Sequence, residues 1–202
     1  MINLGVLGSG KGSNLQAIID AIEEKKVDAR IGVVISDVED SYILTRARNH
    51  DIDARFIAPG PYKTKLSSEV EQTYIQCLKE YNVDLICLAG FMRVIKEQFL
   101  EAFPHRIINI HPSLLPAFPG LCSWRQALDY GAKITGCTVH FVDNGVDTGP
   151  IIVQKQVPIL TDDTYESLHA RIQEKEHIAY PEAIDLIGKG RIEIVGRKVI
   201  VK

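Results

Sequence analysis

The chain has no pair of cysteines at Cys-x-x-Cys spacing. Cys77, Cys87, Cys122 and Cys137 stand well apart, which argues against both a zinc knuckle and a disulfide framework. No apolar run approaches the roughly 20 residues needed to span a bilayer, and Met1 leads directly into a short apolar strand without a leader-like succession. Charge of one sign is also scarce. With 26 acidic and 23 basic residues the net charge is -3, so nothing general draws the chain to nucleic acid or an anionic membrane. A cytoplasmic protein with small-molecule partners, binding neither nucleic acid nor membrane, is expected.

What is present is ordinary globular material. Hydrophobic content of 46% and charged content of 24% over 202 residues suit one domain with a substantial core. Apolar runs of strand type fall at 2–7, 30–36, 55–58, 83–88, 107–111, 134–142 and 151–157. Helical spacing begins near Leu15 and recurs at 40–50, 67–81, 99–104, 124–130 and from 161–164 to about 176; residues 191–202 read as a hairpin turning at Gly196. No repeat, linker or low-complexity tract interrupts this alternation, which predicts one α/β domain over 1–202 with a mainly parallel sheet.

The stretch with most chemistry is Ile107-Ile108-Asn109-Ile110-His111-Pro112-Ser113-Leu114-Leu115-Pro116. Asn109 and His111 are two apart and so point to one side of an extended strand, and Pro112 keeps His111 out of helical angles. An amide that can bind an oxyanion beside an imidazole that can move a proton suits acyl transfer. A histidine at a strand end can equally be hydrogen-bonded structure. The loop Asp143-Asn144-Gly145-Val146-Asp147-Thr148-Gly149-Pro150 could bring Asp147 to the same sheet edge as an acid that orients the imidazole. His140 reads as a satisfied structural histidine that could also support the site.

The loop Gly8-Ser9-Gly10-Lys11-Gly12-Ser13-Asn14 joins the first strand to the first helix, where backbone N–H groups and the helix dipole favour an anion. Two familiar motifs almost fit. Gly5-x-x-x-x-Gly10-Lys11 lacks the P-loop Ser or Thr, its place taken by Gly12; Gly8-x-Gly10-x-x-Ser13 lacks the third glycine of a dinucleotide fingerprint, although Asp37 could reach a ribose. A glycine turn that only lets strand meet helix is the plain alternative.

Asn109-x-His111-Pro112-Ser113-Leu114-Leu115-Pro116, Gly136-x-Thr138-Val139-His140-Phe141-Val142 and Asp147-x-Gly149-Pro150 together resemble the formyltransferase family that uses 10-formyltetrahydrofolate, over residues 2 to about 191. Within it the branch acting on glycinamide ribonucleotide in purine synthesis is the nearest match. The resemblance implies a Rossmann-like fold with a twisted, mainly parallel seven-stranded sheet, helices on both faces and an antiparallel strand late in the chain. It implies a phosphate-binding part over about 1–100 and a catalytic, folate-binding part over about 101–190.

The same resemblance gives roles to residues. Asn109, His111 and Asp147 would be catalytic, with no metal. Gly12, Ser13 and Asn14 would hold the phosphate, and Gln173 and Glu176 the ribose hydroxyls; without the resemblance that last pair reads as a solvated helix face. Lys65, Met92, Arg93, Val94, Ile95, Asn109, Val142, Asp143 and Asp147 would contact the folate, with main-chain groups of 92–95 reading the pterin edge. Lys65 stands near where relatives commonly carry arginine, and Cys122 and Trp124 where close relatives often carry histidines. A homodimer is compatible with this reading. The rivals are the methionyl-tRNA formyltransferases, which carry a C-terminal nucleic-acid-binding domain, formyltetrahydrofolate deformylases, which carry an N-terminal regulatory domain, a binding module without chemistry, and a nicotinamide-dependent dehydrogenase.

Overall fold

The computed structural model describes residues 1–202. They form two compact units, Met1–Asn109 and Ile110–Lys202, so the change of unit falls within a strand.

In the first unit, β1 (Ile2–Leu7), β2 (Ala29–Ser36), β3 (Ala54–Phe56), β4 (Leu85–Leu88) and the start of β5 (Ile107–His111) pair in parallel, in the order β3-β2-β1-β4-β5. The helices between them are α1 (Ser13–Glu23), α2 (Tyr42–Asn49), α3 (Ser68–Glu80) and α4 (Glu97–Ala102). α1 forms where the apolar spacing predicts it, burying Leu15, Ile18 and Ile19, each worth roughly 1.5–3 kcal/mol of transfer free energy. It starts two residues before Leu15 because Gly12 takes a left-handed φ of 70° and serves as its N-cap. Strand order reverses between β1 and β4, so their carboxyl ends open a crevice of the kind in which parallel sheets bind ligands. The glycine loop leaves β1 at that place and residues 89–95 leave β4 beside it, with Ser9 N–H donating to the Gly90 carbonyl at 3.1 Å.

The second unit contains α5 (Ser123–Tyr130), β6 (Ile134–Phe141), β7 (Ile151–Pro158), α6 (Tyr165–Gly188), β8 (Ile192–Val195) and β9 (Lys198–Val201). β6 and β7 are antiparallel, with a register shift between Val139 and His140. α6 starts at a capping box in which Thr164 accepts from Ser167 N–H and Ser167 accepts from Thr164 N–H. The closing hairpin turns at Gly196, φ 58°, as predicted. Nine strands are present instead of seven, because β9 pairs in parallel with β7 through Ile151 and Lys198 and carries β8 with it. The class is α/β with a mostly parallel open sheet. No helix is long and apolar enough to cross a membrane.

Candidate active site

β5 is buried along Ile107, Ile108, Ile110 and His111, and Asn109 is half-buried two residues before His111 on the same strand. The loop that follows is stiffened from several directions. Thr138 Oγ1 donates to the Ser113 carbonyl at 2.7 Å and accepts from Leu115 N–H, and Ser123 Oγ donates to the Pro112 carbonyl at 2.8 Å. These bonds hold the proline-rich segment in place: the Pro112 and Ser113 carbonyls and the Leu115 N–H are each met by a buried hydroxyl, and the Leu115 carbonyl by the Gln154 amide.

The His111 ring is held at both nitrogens. Nε2 lies 2.9 Å from the Phe118 carbonyl, and Nδ1 lies 3.3 Å from Oδ2 of Asp147. Both neighbours accept, so the imidazolium is the one form that can donate to both. Burial opposes that charge and dominates, pulling the His111 pKa below its ordinary value although the Phe118 carbonyl and the Asp147 carboxylate raise it.

Asp147 is placed by the β6–β7 loop. Its φ of 55° is left-handed, which costs a non-glycine residue about 1 kcal/mol, and the loop is fixed around it by Gly145 N–H and Thr148 Oγ1 donating to Oδ1 of Asp143. Gly149 is required at the loop's end: an added Cβ would stand 1.8 Å from the Phe141 carbonyl oxygen. Burial pushes the Asp147 carboxyl up, but His140, the Gly120 N–H at 2.8 Å and His111 together outweigh it, and the net pKa falls. His140 comes within 3.7 Å of Asp147 Oδ1, its Nδ1 directed at the Phe141 carbonyl 2.8 Å away. A register shift between Val139 and His140 lies next to this side chain, at a position the sequence reading left as structural support.

A carboxylate between two imidazoles, one of them two residues beyond a strand-borne amide, can shuttle a proton beside a hydrogen-bond donor for an oxyanion. Comparison with known proteins agrees with that chemistry, since the family model described as formyl transferase matches residues 2–184. The chain belongs to the formyl transferase family.

Among relatives of this formyl transferase, the phosphoribosylglycinamide formyltransferase of Bacillus subtilis is 42% identical over 91% of the chain and 93% of its own length. The trifunctional purine biosynthetic protein adenosine-3 of Drosophila melanogaster is 47% identical over 93% of the chain, which spans only 14% of that larger protein. The crystal structure of glycinamide ribonucleotide transformylase 1 from Symbiobacterium toebii superposes with a TM-score of 0.95 at 52% identity, covering 100% of this chain and 94% of that one.

The other predicted residues of the formyl transferase are placed as follows. Gly12, Ser13 and Asn14 form the N-terminus of α1, and no side chain caps it. Gln173 is half-buried and Glu176 buried on α6, so Glu176 does not belong to a solvated face. Val142 and Asp143 begin the β6–β7 loop, and Asp143 turns its carboxylate inward to that loop.

In residues 92–95, two of the main-chain amides have partners within the protein. Met92 N–H donates to Ser9 Oγ at 2.9 Å and Val94 N–H to the Thr64 carbonyl at 2.9 Å, so these two amides are engaged within the protein; the Met92 and Val94 side chains are exposed and Ile95 is buried. The Arg93 side chain is turned away to Asp37, Nε to Oδ2 at 2.6 Å, and its Nη1 donates to the carbonyls of Tyr62 and Lys63. Asp37 is therefore a buried anchor, which removes it as a ribose ligand and with it the dinucleotide reading. Lys65 pairs with Val94 in an isolated bridge and sets its ammonium 4.5 Å from the Tyr62 ring centre. At the two positions where the resemblance implied histidines in relatives, Cys122 is exposed at φ 54° and Trp124 stacks on His169 with ring centres 3.9 Å apart.

Proposed function

We propose that this formyl transferase moves the formyl group of 10-formyltetrahydrofolate to the amine of glycinamide ribonucleotide, giving formylglycinamide ribonucleotide and tetrahydrofolate in purine synthesis. The observation that carries the reading is the His111–Asp147 pair at 3.3 Å, two residues beyond Asn109, in a chain of this family. The acceptor is the one for which its relatives from Bacillus subtilis and Symbiobacterium toebii are named.

In the reaction the amine attacks the formyl carbon, the carbonyl oxygen becomes an oxyanion, and the bond from that carbon to N10 then breaks. Asn109 stabilises the oxyanion, and so does His111 as its Nε2 leaves the Phe118 carbonyl for the oxyanion while Nδ1 stays with Asp147. Burial keeps the imidazole pKa low before reaction, and negative charge developing beside the ring raises it, so the stabilisation is largest in the transition state. Asp147, ionised at neutral pH, stabilises at Nδ1 the imidazolium that forms when a proton of the attacking amine passes to His111, and assists the onward movement of that proton to N10. Gly12, Ser13 and Asn14 hold the 5′-phosphate, and Gln173 and Glu176 the ribose hydroxyls. Lys65, Met92, Arg93, Val94, Ile95, Val142 and Asp143 surround the folate; Arg93 does so by fixing the 62–65 loop through its side chain.

A spectrophotometric assay with the formylfolate donor, run with and without glycinamide ribonucleotide, tests the proposal. Deformylated folate released only with the nucleotide is the expected result. Release without it would make the protein a deformylase, and no release in either case would exclude both.

A further inference from the structure

The glycine loop is fastened to α2 through its carbonyl groups. Ile43 N–H donates to the Gly10 carbonyl at 3.0 Å, and Arg46 Nε donates to the Lys11 carbonyl at 2.9 Å. In a planar trans peptide the C=O and the following N–H point in opposite directions. With both carbonyls drawn to α2, the N–H groups of Lys11 and Gly12 must face away from it. Gly12 also lies flat on α2, since a Cβ there would meet Ile43 atoms at 2.8–2.9 Å. The amides that an anion would use are thus aimed by contacts on their other side.

Arg46 is itself held in place. Its Nη1 donates to Gln16 Oε1 at 2.9 Å, and its guanidinium carbon lies 4.8 Å from the Tyr42 ring centre. Gln16 Nε2 reaches Asp20 Oδ1 at 2.8 Å and His50 Nε2 at 3.2 Å, while His50 Nδ1 reaches Glu23 Oε1 at 3.0 Å. With Nδ1–H donated to Glu23, His50 Nε2 accepts from Gln16, which fixes the amide so that Oε1 faces Arg46. A continuous polar chain therefore runs from the end of α1 through α2 to one peptide of the loop.

We propose that Arg46 is a positioning residue for phosphate recognition: by holding the Lys11 carbonyl against α2 it keeps the Gly12 N–H turned outward to the anion. The proposal rests on the reading of this loop as the phosphate cradle. Two donors fixed on one planar guanidinium do this, Nε on the Lys11 carbonyl and Nη1 on Gln16, and a lysine ammonium lacks that planar geometry, so charge alone does not reproduce the effect.

Steady-state kinetics with glycinamide ribonucleotide and with its 5′-dephosphorylated riboside separate the possibilities. The wild-type protein is expected to prefer the phosphorylated substrate strongly. Arg46→Ala should lower kcat/KM for the nucleotide about tenfold through KM, the effect of a lost or misdirected charge-assisted hydrogen bond, while the riboside and the folate KM are unchanged. Arg46→Lys, which keeps the charge, should show most of the same defect and serves equally if the alanine variant does not fold. Equal losses on both substrates, or full recovery of the nucleotide KM in Arg46→Lys, would overturn the positioning role. A wild-type protein indifferent to the phosphate would instead overturn the cradle reading itself.

Discussion

His140 presents Nε2 to Oδ1 of Asp147 at 3.7 Å, with both side chains close to fully buried. The carboxylate that faces His111 on one oxygen is thereby held from behind on the other, and His140 is the leading influence that keeps it ionised against burial. His140 and His111 thus face different oxygens of the one carboxylate.

Replacing His140 with glutamine removes that influence. The Asp147 pKa should rise, and the acid limb of the kcat/KM profile should move to higher pH while activity at its plateau is largely kept. A pH profile identical to that of the wild-type protein would assign His140 to packing alone.

His111→Ala and Asp147→Asn should each reduce kcat by about 10²- to 10³-fold, the usual consequence of losing one group that stabilises the oxyanion or its proton. Thermal unfolding shows whether each variant is folded, and full turnover in either would remove that residue from the mechanism.

Stability should fall on the acid side through His111. Its pKa is lower in the folded state than the ordinary 6.5, so the unfolded chain binds more protons once the pH drops through that value. The contribution is fully present above pH 6.5 and is lost as the pH falls from there toward the lowered folded pKa. Asp147 adds a second loss at lower pH, since its carboxyl is also depressed from 3.8. Denaturant unfolding of wild-type and His111→Gln proteins from pH 7 downward should show a flatter dependence in the variant.

Gly149→Ala should destabilise the protein by about 1–3 kcal/mol, because the new Cβ collides with backbone oxygen instead of a movable side chain. At this chain length that corresponds to a fall in Tm of very roughly 2–12 °C, and kcat should fall with it as the Asp147 loop shifts. An unchanged Tm would mean that the β6–β7 turn relaxes freely.

Arg93→Met leaves the Asp37 carboxylate buried without its ion-pair partner, which typically costs about 3–5 kcal/mol. The double variant Arg93→Met/Asp37→Leu should regain much of that stability in chemical denaturation while the KM for the folate donor stays raised, because the 62–65 carbonyls have lost their anchor. A normal donor KM in the double variant would confine Arg93 to stability.

Local signals carried far in this chain. Periodicity placed α1 on Leu15, Ile18 and Ile19, the glycine at 196 gave the last hairpin, and Asn109-x-His111-Pro112 put an amide and an imidazole two apart on one strand, since an extended backbone repeats every two residues. The motifs also carried the family. Long-range pairing was not legible. Nothing near Asp37 announces Arg93, 56 positions away; nothing in the sequence says that His140 meets Asp147 or that Arg46 lies under the Lys11 carbonyl. Nor does it show that the amides of Met92 and Val94 are already engaged. The sequence by itself determined the element types, the α/β class and the residues able to do acyl transfer, because those follow from spacing and side-chain chemistry. The tertiary structure alone decided which of them meet, which way each peptide turns and how far each pKa is displaced, because burial and hydrogen-bond direction depend on atoms that the folded chain brings together.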